Sequence, residues 1–210
     1  MSAKTDNFLK QYADDIVSAT AGTGLFPSVV IAQAALETGW GDSVKRAANN
    51  MFGIKGTNWK GKVISLNTTE YIGGVKKAVA GTGKIYGSYD QAVADGANRY
   101  TIFRVYGSVR ESINDHNKLI TSSSRYKPVM EATTPEGQAR ALQNCGYAGE
   151  STSYATALIN LIKQYNLTEY DKKKSFALLM TTGWGKWVLI SVAVVAGGAA
   201  IWYYIKKHKQ

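Results

Sequence analysis

Glu37 is the residue whose surroundings most clearly suggest chemistry. It ends a mostly apolar run, PSVVIAQAAL, and Thr38, Gly39, Trp40 and Gly41 follow it. A carboxyl beside apolar and aromatic groups tends to keep its proton, because desolvation disfavours the charged form. A protonated carboxyl in a cleft can protonate a leaving group, so glycoside hydrolysis is the first hypothesis. The bland alternative is a solvated glutamate at a helix end, and composition alone favours it. An amide-rich turn, Asn49-Asn50-Met51-Phe52-Gly53, lies just downstream.

The elements that must position this acid read as mostly helical. Thr5 to about Ala21 carries Phe8, Leu9, Tyr12, Ile16 and Val17 on one stripe. Pro27 suits the first turn of a second helix that reaches Glu37 or Thr38. A short third helix is expected over 42–48. KVISLNTTEY, residues 62–71, reads as a strand that turns at Gly73-Gly74 and pairs back through Val75–Val79. Further helices are expected over 88–99, 108–121, from Thr134 to Gly146, and over 152–165. Tyr86-Gly87-Ser88 with Asp95 recurs as Tyr106-Gly107-Ser108 with Asp115. This is either a small duplication or a repeated signal for starting a helix. The fold class is α+β, with one hairpin.

The far end of the chain is different in kind. Residues 187–205, WVLISVAVVAGGAAIWYYI, contain no charge in 19 residues. As a helix they would span about 28 Å, close to a bilayer's hydrocarbon thickness. Trp184 and Trp187 flank one end, and Trp202, Tyr203 and Tyr204 the other, as interfacial aromatic belts do. The expected division is a domain over 1–170, a basic juxtamembrane linker over 171–186, one transmembrane helix over 187–205 and a basic tail over 206–210. Ala193 and Gly197, four apart, would allow self-association of that helix.

The net charge of +10 is unevenly spread. Residues 1–171 hold 18 Lys/Arg and all 15 Asp/Glu, whereas 172–210 hold seven Lys and no acid. The basic total therefore suits anionic lipid head groups and does not argue for nucleic acid. Cys145 is the single cysteine, expected near a helix C-terminus in a structural role. Two histidines and one cysteine without ligand spacing leave no metal site expected, and no cofactor is called for. The N-terminus, MSAKTDNFLKQYADD, lacks the apolar core of a secretory signal peptide.

Several motifs together resemble glycoside hydrolase family 73, the N-acetylglucosaminidases of the flagellar rod-cap and autolysin type. They are Ala34-Ala35-Leu36-Glu37-Thr38-Gly39-Trp40-Gly41, Asn49 to Gly56, Thr68-Thr69-Glu70-Tyr71, Phe103-Arg104-Val105-Tyr106, Ser112 to His116, Ser124-Arg125-Tyr126, and Gly146-Tyr147-Ala148 with Tyr154-Ala155. The ordered set covers about residues 8–166. The resemblance implies a lysozyme-like domain, a helical lobe facing a β-hairpin lobe across a groove, that cleaves the β-1,4 bond after N-acetylglucosamine in peptidoglycan. It places Glu37 as general acid, Glu70 as base or water-positioner, and Tyr147 in the groove. Trp40, Asn50, Phe52 and Tyr126 are candidates to line sugar subsites, since aromatic faces suit pyranose C–H surfaces; core packing beside the acid is the equal alternative for Trp40. Asp115-His116 is expected to stabilise its own helix.

The chain departs from the family pattern in the stretch at about 72–102, which is expected to elaborate the hairpin lobe. It departs again at Gly149-Glu150-Ser151, and in having a C-terminal span where an export signal is usual. The competing functions are a muramidase or lytic transglycosylase on the same polymer, and a catalytically dead, membrane-tethered peptidoglycan-binding module. An anchored wall hydrolase must work on the peptidoglycan-facing side of a membrane. A phage or virion protein is the favoured setting, and a bacterial tail-anchored autolysin the other.

Overall fold

A computed structural model describes residues 2–44, 47–149 and 151–172. The expected membrane span at 187–205, the linker past Lys172 and the basic tail lie outside the described residues. Among the described residues no helix is long and apolar enough to cross a membrane.

The helical lobe is organised around α2 (Pro27–Thr38), which is buried from Pro27 through Ala35. A helix that is apolar nearly all round has to be central, and α2 packs against α1 (Ala3–Thr20), α6 (Pro135–Asn144) and α7 (Tyr154–Gln164). α4 (Val109–Ser122) and the short α5 (Lys127–Glu131) close the lobe. Pro27 sits in the first turn, where a missing N–H is harmless. Asp171, beyond α7, caps this turn. The Asp171 carboxylate accepts from the Ser28 N–H at 2.8 Å and from the Ser28 hydroxyl at 2.7 Å. A negative charge is favourable at the positive end of a helix dipole. The first residue of the expected linker is therefore docked on the lobe.

The second lobe holds a three-stranded antiparallel sheet, ordered β4 (Ile85–Tyr86), β1 (Val63–Ser65), β5 (Ile102–Arg104). It has its own small core of Val63, Tyr86, Ile102, Ala92 and Ala97, to which α3 (Tyr89–Ala94) contributes. Separate from it is a two-stranded ribbon, β2 (Thr68–Ile72) with β3 (Val75–Val79), in register Glu70↔Lys77. The 72–102 stretch thus does elaborate the hairpin lobe, supplying β3, β4 and α3.

Three expectations are corrected. The strand over 62–71 is two strands in two sheets. The chain changes partners at Leu66-Asn67, where Gly81 passes so close that a Cβ there would lie 2.3 Å from the Leu66 carbonyl carbon. The helix over 42–48 is absent among the described residues, which form turns, with Ala48 and Asn49 at left-handed φ of 51° and 65°. The helix over 88–99 stops at Ala94, before Gly96 at φ 83°.

The Tyr-Gly-Ser echo is a repeated capping box. Ser88 Oγ accepts from the Gln91 N–H while the Gln91 side chain accepts from the Gly87 N–H. Ser108 and Glu111 repeat this, with Gly107 as the second donor. Tyr86 and Tyr106, just before the two caps, are both buried.

Candidate active site

Glu37 sits in the last turn of α2. Gly39 ends the helix in a left-handed conformation at φ 58°, and the Trp40 N–H returns to the Ala35 carbonyl at 2.9 Å. Thr38 Oγ donates to the Ala34 carbonyl and accepts from the Gly41 N–H, which tightens the exit. The Glu37 side chain is exposed to the groove, at the end of a helix that is itself buried. It makes no hydrogen bond or ion pair with any described residue. Desolvation pushes its carboxyl up to about 7. The negative end of the α2 dipole opposes its ionisation in the same direction. A glycan filling the groove would displace water from the carboxyl and reinforce the effect.

Glu70 projects from β2 and is the chemical opposite. Its Oε1 accepts from Lys55 Nζ at 2.5 Å and from Thr68 Oγ at 2.8 Å. The Lys55 ammonium also donates to the Tyr100 carbonyl at 2.6 Å and lies 4.0 Å from the Phe103 ring centroid. Glu37 and Glu70 line one cavity of about 830 Å³, together with Phe52, Tyr126 and Tyr147. A second cavity of about 670 Å³ shares Glu37, Gly53 and Phe103 with the first and continues past Leu66, Asn67 and Thr82. Glu37 therefore stands where two halves of one groove meet. The 81–83 loop of the 72–102 stretch walls the second half.

Tyr147 is half-buried in an aromatic group. Its ring stacks with Tyr154 at 5.7 Å and neighbours Tyr126 at 6.2 Å and His116 at 5.7 Å. Burial first, with the neighbouring Tyr154 and Glu37 acting in the same direction, raises its phenol well above the usual value and keeps it protonated and able to donate. Arg125 holds the preceding backbone, donating to the Cys145 and Gly146 carbonyls at 2.5 and 2.8 Å. Phe52 is buried and stacks on His116 at 3.9 Å. His116 is fully buried, and desolvation lowers it to about 4. Asn117 Nδ2 donates to the Ala19 carbonyl, so its Oδ1 faces His116 Nδ1, which must carry the ring proton. His116 is a neutral floor beneath Phe52 and Tyr147.

Two candidates have other work. Asn50 is 2% exposed and its amide is spent on the backbone: it donates to the Ile54 and Arg104 carbonyls and accepts from the Ile54 N–H. It borders the groove but serves to tie the loop after α2 to β5. Trp40 does not line the groove with Glu37. It packs edge-on against Phe8 and Tyr165, at 5.4 and 4.6 Å, and borders a separate depression on α1. The left-handed exit at Gly39 and Trp40 turns its ring to that side.

Asp115 reaches beyond its own helix, pairing with Arg104 of β5 at 2.6 Å and accepting from the Tyr106 hydroxyl at 2.5 Å. Sequence reasoning missed Lys55, Arg104 and Phe103 as groove residues. The available signal was their place inside the ordered motifs. Among the described residues no group of three His, Cys, Asp or Glu side chains could hold a metal.

A helical lobe and a sheet lobe around a groove, each contributing one carboxyl, make this the fold of a lysozyme-like glycoside hydrolase. The chain belongs to the glucosaminidase family, described as mannosyl-glycoprotein endo-beta-N-acetylglucosaminidase, whose model matches residues 13–167. Peptidoglycan hydrolase FlgJ of Escherichia coli K12 is 34% identical over 177 residues, covering 81% of this chain and 50% of that protein. Exo-glucosaminidase LytG of Bacillus subtilis 168 is 35% identical over 154 residues, covering 70% and 47%. The chain thus spans about half the length of these curated relatives. The crystal structure of a peptidoglycan hydrolase mutant from Sphingomonas sp. A1 superposes with a TM-score of 0.61 at 32% identity, covering 78% of this chain and 96% of that one.

Proposed function

We propose that the chain is an endo-β-N-acetylglucosaminidase that cleaves the β-1,4 bond after N-acetylglucosamine in peptidoglycan strands. The observation that carries this reading is the pair of carboxyls in one groove, Glu37 without a partner and Glu70 ion-paired. The Glu37 proton passes to the glycosidic oxygen as the bond from C1 breaks. A water attacks C1 from the opposite face and its proton passes to Glu70, so the anomeric configuration inverts. The Tyr147 phenol donates to the sugar held at the acid, and the Tyr126 and Phe52 rings flank it. A groove that continues on both sides of Glu37 favours cleavage inside a strand over removal of terminal sugars.

Mass spectrometry of digested peptidoglycan tests the bond cleaved. Reducing-end N-acetylglucosamine is the expected product. Reducing muramic ends or anhydromuramic ends would overturn the reading in favour of a muramidase or a lytic transglycosylase. NMR of the first product anomer tests the mechanism, and retention would give the attack on C1 to the substrate's own acetamido group, with water then opening the cyclic intermediate.

Residues 187–205 are proposed as a bilayer anchor, with 171–186 as its tether and 206–210 as its tail. The support is the uncharged run, its aromatic flanks and the adjoining lysines. The groove then works on the peptidoglycan-facing side. Release of the protein by alkaline extraction of membranes would rule the anchor out. Comparing purified virions with host membranes separates the phage setting from the bacterial one.

A further inference from the structure

Glu70 stands on a ribbon that has little apolar support. No described β2 or β3 side chain joins either hydrophobic cluster, and Val75 through Ala78 are exposed. Two-stranded hairpins of this kind are marginal without packing, so apolar burial does not set where the Glu70 carboxylate lies. Its polar ties do, and they are one-sided. Both donors, Lys55 Nζ and Thr68 Oγ, bond to Oε1, and no described residue donates to Oε2.

Lys55 is itself held from several directions. The Tyr100 carbonyl and the Phe103 ring fix its ammonium. Its own backbone carbonyl accepts from Arg104 Nε at 3.0 Å, and Arg104 Nη1 pairs with Asp115 on α4. The ties run from the helical lobe through β5 to the Lys55 backbone, and from the Lys55 ammonium to the ribbon.

We propose that Lys55 is the positioning residue of Glu70: with Thr68 it pins Oε1, leaving Oε2 as the oxygen that takes the proton of the attacking water. This rests on the reading of Glu70 as the base. As the water oxygen bonds to C1, its proton moves to Oε2, while the Glu37 proton leaves with the departing sugar. Lys55 transfers no proton.

A double-mutant cycle in the 210-residue chain tests this, using Lys55→Met, Glu70→Gln and the pair, with kcat and KM measured on peptidoglycan strands. Misplacement of a reacting group by about 1 Å costs on the order of 10²-fold. Lys55→Met is therefore expected to lower kcat by about that factor with KM within about twofold. Lys55→Arg, which retains the charge and donors, should recover most of the loss. In the Glu70→Gln background Lys55→Met should cost less than about twofold, because residues acting as a unit are not additive. A multiplicative loss in the pair, or full kcat in Lys55→Met beside an inactive Glu70→Gln, overturns the positioning role alone. Full kcat in Glu70→Gln overturns the base assignment and the positioning role with it. If Lys55→Met fails to fold, Thr68→Val removes the other donor to Oε1. Its smaller loss of kcat, about fivefold, should likewise vanish in the Glu70→Gln background, and persistence there overturns the proposal.

Discussion

Glu37 stands on a helix buried from Pro27 to Ala35, whereas Glu70 stands on a ribbon outside both apolar clusters. Dense packing of α2 fixes where Glu37 is, and the protein mass around the groove raises its carboxyl although the side chain itself is open to the groove. No partner is needed, and an ion pair would favour the charged form. The ribbon offers no such packing, so Glu70 is located by directed polar contacts, one from the Lys55 ammonium and one from the Thr68 hydroxyl. One lobe makes an acid by withholding partners; the other holds a carboxylate in place by supplying them. The two carboxyls differ because their lobes are built by different forces.

The sharpest way to break this contrast is Glu37→Gln. If Glu37 delivers the proton, activity against peptidoglycan should fall on the order of 10²–10⁴-fold. A turbidity assay with the folded variant checks it, and a loss below tenfold would leave Glu37 as a bystander. The next effect separates the lobes by stability. Ile31 is fully buried and Val75 is 56% exposed. Ile31→Ala should cost about 2–5 kcal/mol in urea unfolding, and Val75→Ala no more than about 0.5 kcal/mol. Comparable costs would mean that the ribbon is packed after all.

The pH dependence sharpens the comparison further. Glu37 is raised in the folded protein to about 7, so its contribution to stability is fully present below its ordinary value of 4.5 and lost as pH rises through 7. The Tm of Glu37→Gln should therefore gain on that of the native chain between those values and stay ahead above pH 7. kcat should fall on the alkaline side as the acid loses its proton. His116 has the reverse sign: lowered to about 4, it contributes stability that is present above 6.5 and lost as pH falls through 4. The smallest expected effect tests what the lobes share. Ser88→Ala and Ser108→Ala remove equivalent caps, one in each lobe, and each should cost about 0.5–2 kcal/mol by thermal melts.

Much of the helical lobe was legible because its signals are local. The stripe in α1, Pro27 at the start of α2 and Thr134-Pro135 at the start of α6 each act within a turn or two of chain. Glu37 was legible for the same reason, being an acid at the end of an apolar helix. In the sheet lobe the ribbon was legible, with its turn at Gly73-Gly74 and its return through Val75–Val79, but the three-stranded sheet was not. β4 is two residues long and β5 three, too short for alternation to show, and both take their identity from pairing with β1. Trp40 takes the core-packing alternative, and Asn50 borders the groove while its amide is spent on backbone groups, which only the ring packing and hydrogen bonds show.

By itself the sequence determined the buried central helix, the acid at its end, the repeated Tyr-Gly-Ser signal and the ordered motifs of the family. Those features depend on spacing along the chain. Only the tertiary structure decided that Glu37 meets Glu70 in one groove, that Asp115 reaches Arg104 across the lobes, and that Lys55 holds Glu70 by one oxygen. Those facts depend on residues 11 to 33 positions apart being brought together by packing, and no local propensity carries that information.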